Sequence, residues 1–461
     1  MSEILSRTES VCPECLARIP ATRVVDGEEI YLEKTCPQHG AFRTLLWRGK
    51  PDYSIWARPK IPSFPKNPLT EVRNGCPFDC GLCGEHRQHT CSVLLEVTQR
   101  CDLHCPICFA DSGNIGTEDW ALSEVAAWYD RLLANGGPFN IQLSGGEPCL
   151  CDDLPEMIRI GRSKGFSFFQ VNTNGLRIAR EPDYMARLKD AGLTTVFLQF
   201  DGTRDEIYHQ IRGRALLEQK LQALANCVAQ GVGVVLVPTL IPGVNTGDIG
   251  NIIRLALSNM PVCRGVHFQP VSHFGRYPSA MDQAARITLP EVIHEIESQT
   301  GGTLPAEAFC PPGCENALCS FHGNFVLMPN DELKPISHFK ETTCGCKPIV
   351  AAEGAAQARK FVSANWANPG SAPEQSIFSR RPILDDLDIF LERKRTHTFC
   401  VSGMAFQDAW NIDLERLRDC CIHVANPNGK LVPFCAYNLT DRNGRSLYRN
   451  QPAVQRENHA A

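Results

Sequence analysis

Apolar and polar positions in this chain follow two spacings. From about residue 92, short β-branched or aromatic runs alternate with amphipathic stretches. The runs VLLEVT (93–98), FNIQLSG (139–145), FFQVNTN (168–174), TVFLQF (195–200), GVVLVPT (233–239) and VHFQPV (266–271) predict strands. Between them lie helix patterns such as LSEVAAWYDRLLANGG, with Ser123 as its expected cap and Gly136 past its end. Near-continuous apolar strands, each followed by a helix, predict a parallel sheet covered by helices. Six such units within residues 93–300 predict an α/β fold, a partial (β/α)6 TIM-like barrel, with functional residues at the C-terminal strand ends.

The flanks have other patterns. Residues 1–58 carry CPEC (Cys12, Cys15) and CPQHG (Cys36, His39) around a polar, hairpin-like insert. A C-x2-C knuckle with a C-x2-H knuckle has the spacing of a small tetrahedral ribbon for Zn or a single Fe. Residues 59–92 begin with PKIPSFPKNP, which predicts an extended spacer. In residues 301–350 the alternation fades into cysteine-dense loops, CPPGCENALCSFHG (310–323) and TTCGC (342–346). Residues 351–461 open helical and charged, then carry Cys400, the adjacent Cys420 and Cys421, and Cys435, and end in the frayed-looking QPAVQRENHAA.

Composition narrows the class. The chain has 461 residues and a net charge of −5, which gives no footprint for nucleic acid. Its longest apolar run, VGVVLVPTLIPGV, is broken by Pro238, Pro242 and Gly243, so no membrane span is expected. MSEILSRTES lacks the features of a secretory signal. A cytoplasmic location is therefore expected, with any membrane substrate met peripherally. The 23 cysteines are the unusual number. Clustered thiols in a long chain of a reducing compartment read as metal ligands. The solitary Cys227 and Cys263 read as small buried hydrophobes.

One spacing occurs twice. Cys76, Cys80 and Cys83 are spaced C-x3-C-x2-C, and so are Cys101, Cys105 and Cys108. A cubane [4Fe–4S] cluster normally takes four thiolates, so three leave one iron open. The second tripod follows the first predicted strand of the series, where a barrel's active site lies. The first follows a proline segment and has Cys91 nearby as a fourth ligand. The second is thus the catalytic candidate, and the first a structural or electron-relay cluster. At the end of the next strand comes Ser144-Gly145-Gly146-Glu147-Pro148. Paired glycines admit close backbone approach, and Glu147 is an acceptor for an ammonium group.

CDLHCPIC, SGGEP, VNTNG and LQFDG, in this order, resemble the radical S-adenosylmethionine (radical SAM) superfamily. The resemblance implies a [4Fe–4S] cluster on Cys101, Cys105 and Cys108, its open iron chelated by the methionine moiety of S-adenosylmethionine. It implies that Gly145, Gly146 and Glu147, after Ser144, contact the amino group. Asn172, Asn174 and Gln199, with Asp201 of LQFDG, are candidates for the ribose and carboxylate. Val237 and Thr239 are candidates for the adenine edge. Ile107 stands where the family usually has an aromatic residue and would cover the adenine by apolar contact. The implied activity is reductive cleavage of S-adenosylmethionine to a 5′-deoxyadenosyl radical that attacks an unactivated C–H bond. A low-potential donor such as ferredoxin or flavodoxin is implied as partner.

VCPEC…CPQHGAFRTLLWRG followed by GCPFDCGLCGEHRQHTC resembles, with the core, the tetraether synthase group, which couples lipid tails and includes pterin methylation. That resemblance implies auxiliary clusters, with Cys310, Cys314 and Cys319, joined by Cys344 or Cys346, as ligands. The tail from Cys400 through Cys420, Cys421 and Cys435 resembles instead the bacterial TrsS group, some members of which contain selenocysteine. Adjacent thiols do not easily close a disulfide on each other. They read as iron ligands or as a reactive pair activated by Arg418 and Lys430. Carbon–carbon bond formation or methylation, with a lipid-like substrate among the candidates, leads over modification of a peptide or another small molecule. A non-catalytic multi-cluster electron carrier is the reading from a different class.

Overall fold

The chain begins with an antiparallel meander of β1 (Glu3–Val11), β2 (Arg18–Asp26), β3 (Glu29–Cys36) and β4 (Gly40–Arg48). The computed structural model describes residues 3–113, 119–278, 286–339, 348–371 and 385–449. All six predicted runs are strands: β5 (Ser92–Thr98), β6 (Asn140–Gly145), β7 (Phe169–Thr173), β8 (Thr195–Gln199), β9 (Gly233–Val237) and, after the short β10 (Thr239–Leu240), β11 (Cys263–Pro270). They lie side by side in chain order, every pair parallel.

The C-terminal third extends this sheet at both edges. β12 (Ser320–Leu327), β13 (Leu333–Pro335), β14 (Thr398–Met404), β15 (Ile422–Ala425) and β16 (Leu431–Pro433) bring it to 12 strands. β14 runs parallel to β11, and β15 runs parallel to β5 at the far edge. Residues 405–421 therefore cross from one flank of the sheet to the other. The loss of alternation after residue 300 reflects this change of role. These strands cap edges, so they need no crossover helix of their own.

Successive side chains on the parallel strands face opposite ways. Ile141, Leu143, Phe169, Val171, Val196 and Leu198 join the helix-covered core. Their neighbours Gln142, Gln170, Asn172, Phe197 and Gln199 line a cavity on the other face. The strands are thus apolar on one face and largely amide on the other, rather than apolar throughout as the sequence suggested.

Two local expectations are corrected. The helix Leu122–Ala134 is capped by Ala121, whose backbone N–H donates to the Glu124 carboxylate at 3.1 Å; Ser123 already lies inside it. The proline segment is pinned rather than a free spacer. Ile61 exchanges backbone hydrogen bonds with Ile349 (3.1 Å) and Ala351 (2.9 Å). The tail QPAVQRENHAA, Cys344 and Cys346 lie outside the described residues.

The ribbon docks on the C-terminal crossing. Arg23, buried, grips Asp413 with Nε at 2.8 Å and Nη2 at 2.5 Å, and Glu415 at 2.7 Å. Lys34 Nζ donates to Ala409 O at 2.7 Å. At the end of β5, Glu96 is held by both terminal nitrogens of Arg449 (2.6 and 2.9 Å), and the pair is buried together with Tyr437 and Asn438. Removing one partner of such a pair leaves a bare buried charge and costs about 3–5 kcal/mol, whereas removing both costs less. Arg449→Met is expected to lower the thermal unfolding midpoint, and Glu96→Gln with Arg449→Met to recover part of the loss. A double variant no more stable than Arg449→Met would refute that account.

Candidate active site

The second tripod loop leaves β5 and turns beside the loop that leaves β6. Gly146 N–H donates to Thr98 O, and Glu147 N–H to Arg100 O, each at 2.8 Å. A Cβ on Gly145 would sit 2.1 Å from Thr98 O, and one on Gly146 2.2 Å from Arg100 O. The glycine pair is therefore required by the approach of the tripod's own backbone, which the sequence reading had assigned to a ligand. Arg276, after β11, holds the loop from its other flank. It exchanges backbone bonds with Cys108 (2.8 and 3.0 Å), and its guanidinium reaches Cys105 O, Asp111 and Ser112 O, each at 3.0 Å.

Cys101, Cys105 and Cys108 face one cavity of about 560 Å³. That is within the usual range of small-ligand sites, roughly 300–1,000 Å³. Burial pushes the Cys101 thiol up to about 12 and raises Cys105, whose charge Arg212 partly offsets. Ser144, Gly145, Gly146, Glu147, Asn172, Asn174, Gln199, Val237 and Thr239 line the same space. Ile107 lines it too and packs beside Ile207, Ile211, Ile241 and Val271.

Several predicted contacts are already spoken for. Glu147 is buried, and its carboxylate accepts from Cys149 N (3.0 Å), Thr173 Oγ1 (2.6 Å) and Asn174 N (2.7 Å). It ties β6 to β7; desolvation nevertheless raises its pKa. The same carboxylate therefore serves as a clamp within the protein; ionised, it has about four acceptor sites, three of which these donors fill. Asn174 Nδ2 donates to Asp102 at 2.7 Å, so it too braces the tripod loop. Asp201 is fully buried and takes a two-pronged grip from Arg212 at 2.7 and 2.8 Å. Gln199 Oε1 accepts from Lys220 Nζ at 3.1 Å, and burial lowers that lysine to about 8. Arg212, Lys220 and Arg276 were missed by the sequence reading. Two are single cations on ordinary helices, Asp205–Arg212 and Leu217–Gln230, and the third stands in the loop after β11, so none carries a sequence signal of its own.

The other thiols sort into groups that chain order does not follow. Cys12, Cys15, Cys36 and His39 bring their donor atoms within 4.8 Å of one another, as the ribbon spacing predicted. Tetrahedral Zn or Fe fits that donor set. Cys76, Cys80 and Cys83 share a small pocket. Cys91 does not join them. It packs instead against Cys314 and Cys421, which lie with Glu315 in a second group of donor atoms within 4.8 Å of one another. Cys91, Cys314, Glu315 and Cys421 line the large cavity together with the second tripod. Cys420 faces the other way, toward Cys319 and Cys435. Burial pushes its thiol up to about 12, so the expected activation by Arg418 and Lys430 is overruled. Cys310 sits against Arg58 and the His338 backbone, and Cys400 near Arg264; among the described residues neither meets another thiol.

Comparison with known proteins agrees with this arrangement. Residues 4–48 match the model of the HMPTM N-terminal zinc ribbon domain, and residues 95–256 match that of the radical SAM superfamily. A 7,8-dihydro-6-hydroxymethylpterin dimethyltransferase of Methanocaldococcus jannaschii is 34% identical over 95% of this chain and 94% of its own length. A GTP 3′,8-cyclase of Chlorobaculum tepidum is 28% identical over 50% of this chain and 72% of its own. Among solved structures, Streptococcus suis SuiB bound to S-adenosylmethionine is similar at 12% identity and a TM-score of 0.38, covering 46% of this chain and 47% of that one.

The chain belongs to the radical SAM superfamily and, within it, to the family of the M. jannaschii relative. It is a radical SAM enzyme whose cofactors are a [4Fe–4S] cluster and S-adenosylmethionine, with metal in the N-terminal ribbon. Cys101, Cys105 and Cys108 would hold that cluster, which when bound and reduced would supply the electron for reductive cleavage of S-adenosylmethionine and so for chemistry at a C–H bond. Three thiols on a cavity wall, Cys105 buried and Cys101 and Cys108 half-buried, with no fourth protein thiol in their loop, suit such a cluster. Among the described residues no helix is long and apolar enough to cross a membrane.

Gly146→Ala forces a Cβ into the Arg100 carbonyl. It is expected to remove one cluster's iron and sulfide and to abolish 5′-deoxyadenosine formation, with ribbon metal retained. Full cluster content in that variant would contradict the role of the glycine. Cys12→Ala is expected to lose about one metal ion per chain by elemental analysis, with acid-labile sulfide unchanged. Loss of a whole cluster's sulfide would exclude a mononuclear ribbon site.

Proposed function

We propose that this enzyme methylates carbon on a pterin, 7,8-dihydro-6-hydroxymethylpterin or a close analogue. The relative that bears that substrate in its name matches this chain from ribbon to C-terminal crossing, and this full-length match carries the reading. The cavity supports it. A lipid tail offers no hydrogen bonds, and it would leave the buried, unpartnered Oε1 of Gln170 and Oδ1 of Asn324 facing hydrocarbon. Each buried polar group without a partner costs about 1–3 kcal/mol. The tetraether-type lipid reading is therefore the weaker one.

In this reading Cys101, Cys105 and Cys108 hold the catalytic cluster. Backbone carbonyls of Gly145 to Glu147, with the remaining acceptor capacity of the Glu147 carboxylate, take the methionine ammonium. Gln199, Val237, Thr239 and Ile107 surround the nucleoside. Asn172 turns to the amides of Gln142 and Gln170 and is reassigned from the ribose to the substrate side. Cys91, Cys314 and Cys421 hold an auxiliary cluster that faces the same cavity, and Cys76, Cys80 and Cys83 hold another. A ferredoxin or flavodoxin supplies electrons. The reduced thiol groups suit the cytoplasm.

Anaerobic protein with dithionite, S-adenosylmethionine and 7,8-dihydro-6-hydroxymethylpterin is expected to give a pterin heavier by one or two methyl groups in mass spectrometry. Cys105→Ala is expected to give neither this product nor 5′-deoxyadenosine. Ample 5′-deoxyadenosine with an unchanged pterin, and deuterium uptake from a long-chain lipid instead, would reject the reading.

A further inference from the structure

Lumens of this barrel type are usually packed with branched apolar side chains. Here the inner face carries a ladder of amides. Gln170 Nε2 donates to Asn172 Oδ1 at 2.6 Å, and Asn172 Nδ2 donates to Gln142 Oε1 at 3.2 Å. Gln142 Nε2 then donates to Ser92 Oγ at 2.9 Å, and Ser92 Oγ to Asn140 O at 3.3 Å. The bonds run one way across β7, β6 and β5. Such a chain ends in an unmatched group at its head.

That group is Gln170 Oε1, which is buried and has no hydrogen-bond partner. Asn324 Oδ1, from β12, is buried and unpartnered as well. Gln170 is fully buried and Asn324 is 7% exposed, and both residues line the cavity. Buried amide oxygens without donors are uncommon in folded proteins and call for an explanation. A ligand with N–H groups on its edge supplies one. The second N–H groups of the ladder amides would in turn meet a carbonyl on the same edge, because each amide carries two donors and an acceptor. Beside the ladder the wall is flat and aromatic. Phe197 stacks on Trp366 at 5.2 Å and 24°, and lies 5.4 Å from His267.

We propose that Gln142, Gln170, Asn172 and Asn324 form a recognition subsite for the lactam–amidine edge of a flat, fused nitrogen heterocycle seated against Phe197. This deepens the pterin reading and rests on it for the identity of the natural ligand. The subsite itself is defined by the edge chemistry, which a guanine base shares.

Equilibrium dialysis of the anaerobically reconstituted full-length enzyme tests it. Three probes are used: 7,8-dihydro-6-hydroxymethylpterin, guanosine, and 2-hydroxymethylnaphthalene, which is flat but lacks the edge. The wild type is expected to bind the pterin at least tenfold tighter than the naphthalene. Gln142→Leu and Asn324→Leu, on strands far apart in the sheet, are each expected to cut that preference about tenfold by weakening pterin binding while naphthalene binding holds. Iron and sulfide content report that each variant is assembled. An undiminished preference in both variants overturns the subsite, as does a wild type that binds neither heterocycle better than naphthalene. Edge-dependent binding of guanosine without binding of the pterin keeps the subsite and rejects the pterin reading. Pterin methylation at an unchanged KM in both variants does the reverse.

Discussion

The site depends on a backbone seam. Among the described residues between β5 and the helix Leu122–Ala134 there is no helix or strand to hold three thiols, so their position is borrowed from a neighbour. The two N–H groups of Gly146 and Glu147 reach into the carbonyls of residues 98–100, at a separation no side chain tolerates. The Glu147 carboxylate, on the cavity wall, then fastens the loop after β6 to β7. Asn174 adds a tie back to Asp102. Conserving charge near the cavity would not reproduce this arrangement, since its determinants are the missing Cβ atoms and the order in which donors find acceptors.

The C-terminal third has two roles. Its strands cover the open ladders of β5 and β11, which would otherwise be exposed edges. Its crossing segment carries Cys420 and Cys421, whose thiols go to different groups, and each group takes one thiol from the 314–319 loop. In extended chain successive side chains point apart, so adjacent cysteines can serve two places without strain. The ribbon is fastened to this crossing through Arg23 and Lys34, which connects three parts of the sequence that composition keeps distinct.

The strands and the ribbon were legible in the sequence because their signals are local. β-branched runs specify β5 to β9 and β11, and two knuckles specify Cys12, Cys15, Cys36 and His39. The cavity-facing tripod was legible from its place after a strand. What escaped depends on distance in sequence. Cys91 lies near Cys83 in the chain yet meets Cys314 and Cys421 in space, because β15 pairs beside β5. Ser123 resembles a cap, but the backbone of Ala121 reaches Glu124 first. The amides of FFQVNTN were absorbed into an apolar average, although they occupy every second position. Glu147 looked free because its partner Thr173 comes from the next unit, and Asp201 because Arg212 stands at the far end of the helix that follows it.

The pairing of β15 with β5 also has a consequence in time. Thr90 and His423, 333 residues apart, hydrogen-bond across this junction. A chain emerging in order completes its central strands long before it can finish either flank, and contacts of such long range form late. Until β14 and β15 are in place, β5 and β11 therefore stand as open edges of the growing sheet.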